Sequence, residues 1–283
     1  MMMGMALKES TTTTLRESPK PIRRRWRFDR DPVIEAFADL YCATPRELTR
    51  YLLFKEPTEN QVRGKRYLIQ RIKAYAPHAT ILTEQEFFWN SGTSLIGLSD
   101  KGAKIARENM GIETARAFDT KDSEHEFLLS CVHIRLREYA KANGHGFQWT
   151  RNVVNHQKRI NPDAIAVLIT SQGRFTYAVE IERQSYNQDH LKKAEKYKAV
   201  YGHPECVELF GAQKIRVIFV TLSDRRMTTM LEKYSKEYPH RMFWFTTVDQ
   251  ILHDIGAHIF STPKDYKDAT YSLDLSTSPV NRT

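Results

Sequence analysis

The feature that most constrains the fold of this chain is a pair of apolar segments joined by a short polar turn. After Pro162-Asp163, the first segment runs through Ala, Ile, Val and Leu to Ile169. Residues 171–174 (Ser-Gln-Gly-Arg) are typical of a turn, and residues 175–182 then alternate between apolar and other side chains. Alternation with a period of two indicates a strand, and two such runs around a turn predict an antiparallel β-hairpin.

Three carboxylates are expected to meet on one face of this hairpin. The large apolar residues of the second strand face one side, so Glu180 and Glu182 face the other. If Gln172 and Gly173 form the two-residue loop, Asp163 lies directly opposite Glu182, with Glu180 two residues along the same face. Converging carboxylates repel one another unless a positive charge lies between them, and Mg²⁺, or Mn²⁺ in its place, suits such oxygen ligands.

This prediction depends on the turn, because a slip of one residue would move every side chain to the opposite face. The alternative is a solvated polar face on a half-exposed sheet. Around the hairpin, the pattern predicts helices at 123–143 and 189–201 and strands at 214–221 and 242–247. Residues 122–260 are therefore expected to form an α/β region.

Residues 31–112 predict a different arrangement, in which helices come first and a hairpin follows. Thr44-Pro45-Arg46-Glu47 and Thr58-Glu59-Asn60-Gln61 each carry a capping box, so two helices begin there, joined by a very short turn. The second helix extends to about Tyr75, a hairpin ends at Leu98, and Ser99 opens a last helix. This order resembles the winged helix-turn-helix of DNA-binding proteins, in which the second helix enters the major groove.

The second helix is strongly basic, with five Lys and Arg residues and one acid between Thr58 and Tyr75. The residues expected to contact DNA are Arg63, Lys65, Arg66, Gln70, Arg71 and Lys73. A glycine costs about 1 kcal/mol inside a helix, so Gly64 indicates close packing or close backbone approach. The alternative is a winged helix that makes only protein contacts.

Composition agrees with a polyanion-binding protein and excludes several other classes. The chain has 283 residues, with 43 Lys and Arg against 34 Asp and Glu, a net charge of +9. The sequence contains no apolar run long enough to span a bilayer and no signal-peptide core, so a cytoplasmic protein without membrane contacts is expected. The three cysteines lack metal or redox spacing and are expected to be buried apolar residues.

Both ends of the chain are polar and are expected to be disordered. Residues 1–30 end in a basic stretch with interleaved aromatics, which suits either a solvated tail or an arm along a phosphate backbone. Residues 261–283, from Pro263 onward above all, are poor in aliphatic side chains and read as a tail.

Pro162-Asp163, followed seventeen residues later by Glu180-Ile181-Glu182, resembles the motif of the PD-(D/E)xK nuclease superfamily. The resemblance implies an α+β chain: an N-terminal winged helix-turn-helix, then an α/β nuclease-like domain with a core of helix, three strands, helix and strand. It also implies that Asp163, Glu180 and Glu182, the last through its carboxylate or replaced by a backbone carbonyl of Ile181 or Glu182, hold Mg²⁺, which would polarise the scissile phosphate and lower the pKa of the attacking water.

The sequence departs from this motif at its lysine, where Glu182 stands instead. A few restriction endonucleases share the Glu-x-Glu form, while other members carry the lysine on the following helix. Here the candidates for that role are Lys192, Lys193, Lys196 and Gln184, with Lys193 one turn from Tyr197. In that superfamily the preceding helix often adds an acid, Glu126 or Glu124 here; the alternative is that Ser123 and Glu126 merely form a capping box.

The order of motifs is similar to that of the replication-relaxation family of plasmids and mobile elements. A winged helix comes first, then His125-Glu126, Pro162-Asp163, Glu180-Ile181-Glu182 and Lys193-x-x-x-Tyr197, over about residues 35–220. That family has Glu-x-Asp where this chain has Glu-x-Glu, which keeps the charge. The resemblance implies a role in DNA replication, relaxation or mobilisation, with duplex DNA, a relaxase or replication protein, or a second copy of the chain as partners.

Two functions remain open from the sequence. In the first, the second domain is a Mg²⁺-dependent endonuclease whose catalytic residues are Glu126, Asp163, Glu180, Glu182 and Lys193. In the second, the chain is a non-catalytic DNA-binding accessory factor for an origin or relaxosome, or a transcriptional repressor, with a vestigial nuclease fold. Glu182 in place of lysine favours the second function, and the retained acids favour the first.

Overall fold

The computed structural model describes residues 32–64, 82–86, 94–119, 121, 123–151, 160–183, 189–265, 267–273 and 280–281. Within these ranges the chain is mixed α/β, which agrees with the predicted fold class at that level. A small antiparallel sheet lies in the N-terminal part, and a five-stranded mixed sheet lies in the C-terminal part.

The N-terminal part consists of short helices around a three-stranded sheet. Its elements are α1 (Pro32–Leu40), β1 (Cys42–Ala43), α2 (Pro45–Leu53), α3 (residues 59–64), β2 (Leu82–Glu86), β3 (Ser94–Leu98) and α4 (Asp100–Met110). Strands β1 and β2 both pair antiparallel with β3, so the predicted hairpin gains a third strand that the sequence did not indicate.

The helix starts in this part follow the predicted caps. The Thr44 hydroxyl accepts a hydrogen bond from the Glu47 N–H, with Pro45 in the first turn of α2. Thr58 and Gln61 exchange reciprocal bonds between side chain and backbone, and the Ser99 hydroxyl accepts from the Gly102 N–H. A side chain that satisfies a free N–H of the first turn fixes where a helix begins, which is why these boundaries could be predicted.

The C-terminal part contains a five-stranded sheet, whose last three strands alternate with helices, and a separate antiparallel pair of two-residue strands. Its elements are α5 (Ser123–Ala142), β4 (Gly146–Arg151), β5 (Ala164–Thr170), β6 (Gly173–Glu182), α6 (Asp189–Val200), α7 (Pro204–Phe210), β7 (Arg216–Thr221), α8 (Asp224–Glu237), β8 (Phe243–Thr247), α9 (Val248–Asp254), β9 (Ala269–Thr270) and β10 (Val280–Asn281). The strand order is β4-β5-β6-β7-β8, antiparallel from β4 to β6 and parallel from β6 to β8.

Helices cover both faces of this sheet. On one face, Tyr177, Val179 and Ile181 of β6 pack with α5 and α9. On the other face, Ala178 packs with residues of α6, α7 and α8. The face that carries Glu180 is therefore buried beneath α6, and the predicted alternative of a solvated, half-exposed sheet is wrong.

The predicted register of the hairpin is wrong by two residues. Ala164 pairs with Val179 and Thr170 with Gly173, so the loop residues are Ser171 and Gln172. Gly173 is the first residue of β6, and its φ of +134° suits only glycine. Because the shift is even, the acids stay on the predicted face, but Asp163 lies beside Glu180 rather than Glu182.

Helix α5 joins the two parts of the chain. Its Ile134 belongs to the core formed by α1, α2 and β3, and its Phe127 and Cys131 pack with Cys42 of β1. Arg50 of α2 also pairs with Glu138 of α5, Nε to Oε1, at 2.7 Å. Because helix α5 packs on both parts of the chain, it is apolar around much of its circumference.

The prediction of a disordered tail over 261–283 is wrong for the residues that the structure describes there. Ser261 forms a bridge with Phe245 of β8, Phe260 forms another with Tyr271, and Leu273 is 3 % exposed in the core. The few apolar residues of this segment are enough to pack it against the sheet. The expected arm of residues 1–30 lies outside the described residues.

Two simpler expectations can be compared with the structure directly. Cys42, Cys131 and Cys206 are free and buried, as predicted. None of the helices in the described ranges is both long enough and apolar enough to cross a membrane.

Candidate active site

The hairpin acids lie at one end of the five-stranded sheet. Asp163 immediately precedes β5, while Glu180 and Glu182 are among the last three residues of β6. The Asp163 Oδ2 accepts a hydrogen bond from the Ile181 N–H at 2.7 Å, so this side chain continues the contact between β5 and β6 beyond their last backbone pair. We call Asp163, Glu180 and Glu182 the acidic cluster.

Glu180 is the most deeply buried member of the acidic cluster, at 1 % exposed. Its Oε1 accepts a hydrogen bond from the Tyr197 hydroxyl, and its Oε2 from the Lys193 ammonium, both at 2.6 Å. Burial disfavours the charged carboxylate and raises the pKa of Glu180 to about 7, although the nearby Lys193 charge opposes this shift. Burial, with the adjacent Glu180 charge, also raises the pKa of Tyr197, so its hydroxyl remains a donor.

Lys193 connects two of the three acids. Its Nζ lies 2.6 Å from the Glu180 Oε2 and 3.1 Å from the Glu182 Oε1. Burial lowers the pKa of Lys193, but the surrounding carboxylates outweigh burial, so its pKa lies above the ordinary value and the ammonium stays charged. Of the four candidates for the missing motif lysine, Lys193 is the one with these contacts; the side chains of Lys192 and Lys196 are exposed, and Gln184 lies outside the described residues.

Asp163 has a second partner that sequence reasoning did not identify. The Nε2 of His125, in the first turn of α5, lies 3.1 Å from the Asp163 Oδ2. Burial opposes protonation of this imidazole, but hydrogen bonds to Asp163 and Glu126 raise the pKa of His125 to about 9. His125 is therefore a cation at neutral pH, and it adds a positive charge to the acidic cluster.

Glu126 belongs to an ion-pair network that His125 connects to the acidic cluster. Its Oε1 lies 2.9 Å from the Arg116 Nη2, and its Oε2 lies 3.2 Å from the Arg151 Nη1. Burial opposes its charge, but His125 and the two guanidinium groups hold the pKa of Glu126 below its usual range. The carboxylate thus contacts arginines rather than the start of α5, so the capping-box alternative is wrong; Glu124 lies near Arg183 instead, at 3.7 Å.

Positive and negative charges balance across this end of the sheet once Glu180, whose pKa is about 7, is ionised. Four carboxylates lie beside four cations. The carboxylates are those of Asp163, Glu180, Glu182 and Glu126, and the cations are Lys193, His125, Arg116 and Arg151. Arg151 ends strand β4, which is paired with β5 opposite Ala164. The sequence could not indicate Arg116 or Arg151 because their proximity depends on the order of strands in the sheet.

The acidic cluster has the donor chemistry of a Mg²⁺ site, since carboxylate oxygens are the ligands that this hard cation prefers. Its present geometry is that of an ion-pair network. Over the described ranges, no three His, Cys, Asp or Glu side chains are placed to hold a metal ion together. Because the Lys193 ammonium contacts both Glu180 and Glu182, a cation shared by these two acids requires Lys193 to move away from them.

The predicted DNA-contacting helix is described only at its start. Arg63 is exposed, while Lys65, Arg66, Gln70, Arg71 and Lys73 lie outside the described residues. A side-chain carbon placed on Gly64 would meet no described atom within 4 Å, so the close packing expected there is not observed among those residues.

No protein-family model, curated protein or solved structure matches this chain. The resemblance to the replication-relaxation family accordingly stays a prediction from the order of short motifs.

Proposed function

We propose that this chain is a DNA-binding protein of a plasmid or mobile element whose α/β part cleaves a phosphodiester with the help of Mg²⁺. The observation that carries the proposal is the meeting of Asp163, Glu180, Glu182 and Lys193, from three separate segments, at one end of a buried sheet. Burying carboxylates and a lysine together costs desolvation free energy on folding, and such groups concentrate at functional sites.

The order of elements supports the same proposal. Helix α5, strands β4, β5 and β6, helix α6 and strand β7 follow the helix, three strands, helix, strand order implied by the PD-(D/E)xK resemblance, with the short helix α7 added before β7. The acids occupy the expected strand ends, and a lysine of the following helix contacts them in place of the motif lysine.

Each residue of the site has a distinct role under this proposal. Asp163, Glu180 and Glu182 would hold Mg²⁺, which supplies a Lewis acid for the scissile phosphate and lowers the pKa of the attacking water. Lys193 provides positive charge that can stabilise a developing negative charge on the phosphate oxygens. Tyr197 orients the Glu180 carboxylate, and the protonated His125 orients Asp163.

The N-terminal part would bring the α/β part to duplex DNA. We propose that α2, α3 and the β2–β3 hairpin act as a winged helix-turn-helix, with Arg63 and the basic residues after it facing the groove. Phosphate contacts from such residues position a protein on DNA without fixing the sequence that it reads.

Incubation with supercoiled plasmid tests the proposal. The wild-type chain is expected to nick the plasmid with Mg²⁺ or Mn²⁺ but not with EDTA, and Asp163→Ala is expected to abolish nicking while leaving a gel shift of duplex DNA unchanged. Asp224→Ala, which removes an exposed carboxylate from α8, is the matched control and is expected to nick normally.

The balanced charge of the site favours a second candidate function, that of a non-catalytic accessory factor. In the described geometry the chain's own Lys193 and His125 neutralise the acidic cluster. Such a protein would recognise duplex DNA and recruit a relaxase or replication protein. In the plasmid experiment it would shift duplex DNA but would leave the plasmid intact in every metal, with or without Asp163.

A further inference from the structure

A cavity of about 520 Å³ lies next to the candidate active site, between the two parts of the chain. It is lined by α1 and the residue after it (Ala38, Asp39, Tyr41), by the segment after α4 (Thr114, Arg116) and by the end of edge strand β4 (Trp149, Thr150, Arg151). Its volume lies within the range of small-ligand sites. Arg116 and Arg151 also bind Glu126, so the cavity and the candidate active site share a wall.

The cavity combines aromatic surfaces with guanidinium groups. The Arg116 guanidinium lies over the Tyr41 ring, 4.1 Å from its centroid. The Trp149 indole is stacked on the buried His133 ring, with centroids 4.6 Å apart and planes 6° apart, which holds the indole in a fixed orientation. Stacking surfaces beside cations are the features with which proteins bind unpaired nucleotides.

Two buried hydrogen-bond donors, on residues that line the cavity, have no acceptor among the described residues. Trp149 Nε1 and Arg151 Nε are both buried, and neither has a hydrogen-bond partner in the part of the chain that the structure describes. Leaving a buried donor without an acceptor costs free energy, so a small shift of these side chains towards the acceptor oxygens and nitrogens of a ligand would be favourable. Phosphate and base edges provide both kinds of atom.

The backbone at the cavity is strained in a way that favours the same interpretation. Tyr41 has φ of +69°, in the left-handed region that a bulky residue rarely adopts. This conformation places Tyr41 between α1 and β1, where its hydroxyl accepts a hydrogen bond from the Asp119 N–H at 2.6 Å and its ring underlies Arg116. Strain of this kind is usually retained where a side chain must be held for binding.

We propose that this cavity binds one unpaired nucleotide, with the base against Trp149 and the phosphate at Arg116. This inference rests on the proposed function, because it supplies a place for a nucleotide of the strand that the neighbouring site would cut. The ligand class is a nucleoside phosphate, either free or as an unpaired unit of a DNA strand. A base pair within a duplex would not present its faces to the indole.

Fluorescence anisotropy in EDTA tests the proposal, with a labelled oligo-dT single strand, a duplex of equal length and free thymidine monophosphate as competitor. The wild-type chain is expected to bind the single strand, and Trp149→Leu and Arg116→Gln are each expected to weaken that binding roughly tenfold or more. Trp149→Phe keeps a stacking ring and is expected to retain most of the affinity. Arg225→Gln, which removes the same charge from an exposed position on α8, is expected to change it less than twofold.

Photocrosslinking with a 5-iodouracil strand locates the contact directly. A crosslink at Trp149 or Tyr41 supports the proposal, and crosslinks only at other residues overturn it. The proposal is also overturned if the wild type, Trp149→Leu and Arg116→Gln have similar melting temperatures and bind the single strand with equal affinity. Competition by thymidine monophosphate indicates that a free nucleotide suffices, and its absence indicates that a strand is required. If metal-dependent plasmid nicking persists while single-strand binding fails, only the cavity proposal is lost; if nicking is absent, the proposed function fails separately.

Discussion

Lys193 is the residue on which the charge balance of the acidic cluster most depends. Its ammonium contacts both Glu180 and Glu182. Glu180 is only 1 % exposed, so water cannot take the place of the ammonium beside it. Removing one partner of a buried ion pair leaves the other charge uncompensated, which typically costs more than the pair itself contributes.

Lys193→Met is therefore expected to lower the free energy of unfolding by roughly 2–3 kcal/mol in EDTA at pH 8, where Glu180 of the wild type is mostly ionised, which is less than for a fully buried pair because Lys193 is 36 % exposed. Lys196→Met removes an exposed charge from the same helix and is expected to cost less than about 0.5 kcal/mol. Urea unfolding of the three proteins measures both values. Equal stability of the two variants would contradict the described contacts.

Glu47 in α2 predicts a dependence of stability on pH that is independent of the candidate active site. Burial raises the pKa of Glu47 to about 7 from an ordinary value of 4.5. The folded chain therefore keeps a proton that the unfolded chain releases, so stability falls as pH rises from about 4.5 through about 7. Glu47→Gln is expected to remove on the order of 2 kcal/mol of this fall.

Urea unfolding between pH 5 and pH 8 measures this difference. Glu59→Gln, at an exposed position in α3, is the control and is expected to leave the pH dependence as in the wild type. If Glu47→Gln and the wild type lose stability in parallel over this range, the environment of the half-buried Glu47 carboxyl does not raise its pKa.

Strand ends, caps and turns decide which elements could be predicted from the sequence. The starts of α2 and α4 and the strands β3, β5 and β6 depend on local signals such as Thr44, Ser99 and alternating side chains, and they were predicted within a few residues. The hairpin register depends on the conformation of one residue, Gly173, and the turn composition allows it either in the loop or at the start of the strand.

The backbone conformation of Gly173 leads to a prediction that its open surroundings alone would not give. Because its φ is +134°, Gly173→Ala is expected to cost roughly 1–2 kcal/mol although the site has open space for a methyl group. Gly64→Ala in α3, where φ is not positive and space is also open, is expected to stabilise the chain by about 0.5–1 kcal/mol. Thermal unfolding of the two variants should show opposite shifts, and a shift of the same sign would contradict one of the two conformations.

The candidate site could be predicted only in part, because some of its residues come from helices and strands whose packing the sequence does not show. Asp163, Glu180 and Glu182 lie on adjacent strands and were identified from local pattern, and Lys193 was among several lysines on the next helix. His125, Arg116 and Arg151 reach the site from α5, from the segment after α4 and from edge strand β4. The sequence named His125 only within the His125-Glu126 motif, without its contact to Asp163, and it gave no sign of Arg116 or Arg151, whose positions follow from how α5 and β4 pack.

Across the whole molecule, α5 makes the two parts of the chain depend on one another. Arg137 of α5 lies over the rings of Tyr51 and Phe54, at 3.8 and 4.1 Å, and its Nη1 donates to the Tyr51 carbonyl at 3.0 Å. Together with the Arg50–Glu138 pair, these contacts connect α2 to the sheet through a helix that both cores share.

We expect the two parts to unfold in one cooperative transition, with Arg137→Ala destabilising both together. Hydrogen exchange followed by mass spectrometry measures this, because peptides from α1 and from β6 should open with the same free energy and both should shift in the variant. Arg225→Ala, at an exposed position of α8, is the control. Separate opening energies, with only α1 affected by Arg137→Ala, would indicate two independent domains.

The measurement that tests the account most directly is the rate of plasmid nicking by Asp163→Asn, which keeps the shape of the side chain and removes its charge. With Mg²⁺, we predict a loss of at least about a hundredfold relative to the wild type, at unchanged affinity for duplex DNA and at an assay temperature where the variant is still folded, because the loss of the pair with His125 is expected to lower its melting temperature. Equal nicking rates, or no nicking by either protein while both bind duplex DNA equally, would contradict a catalytic role for the acidic cluster.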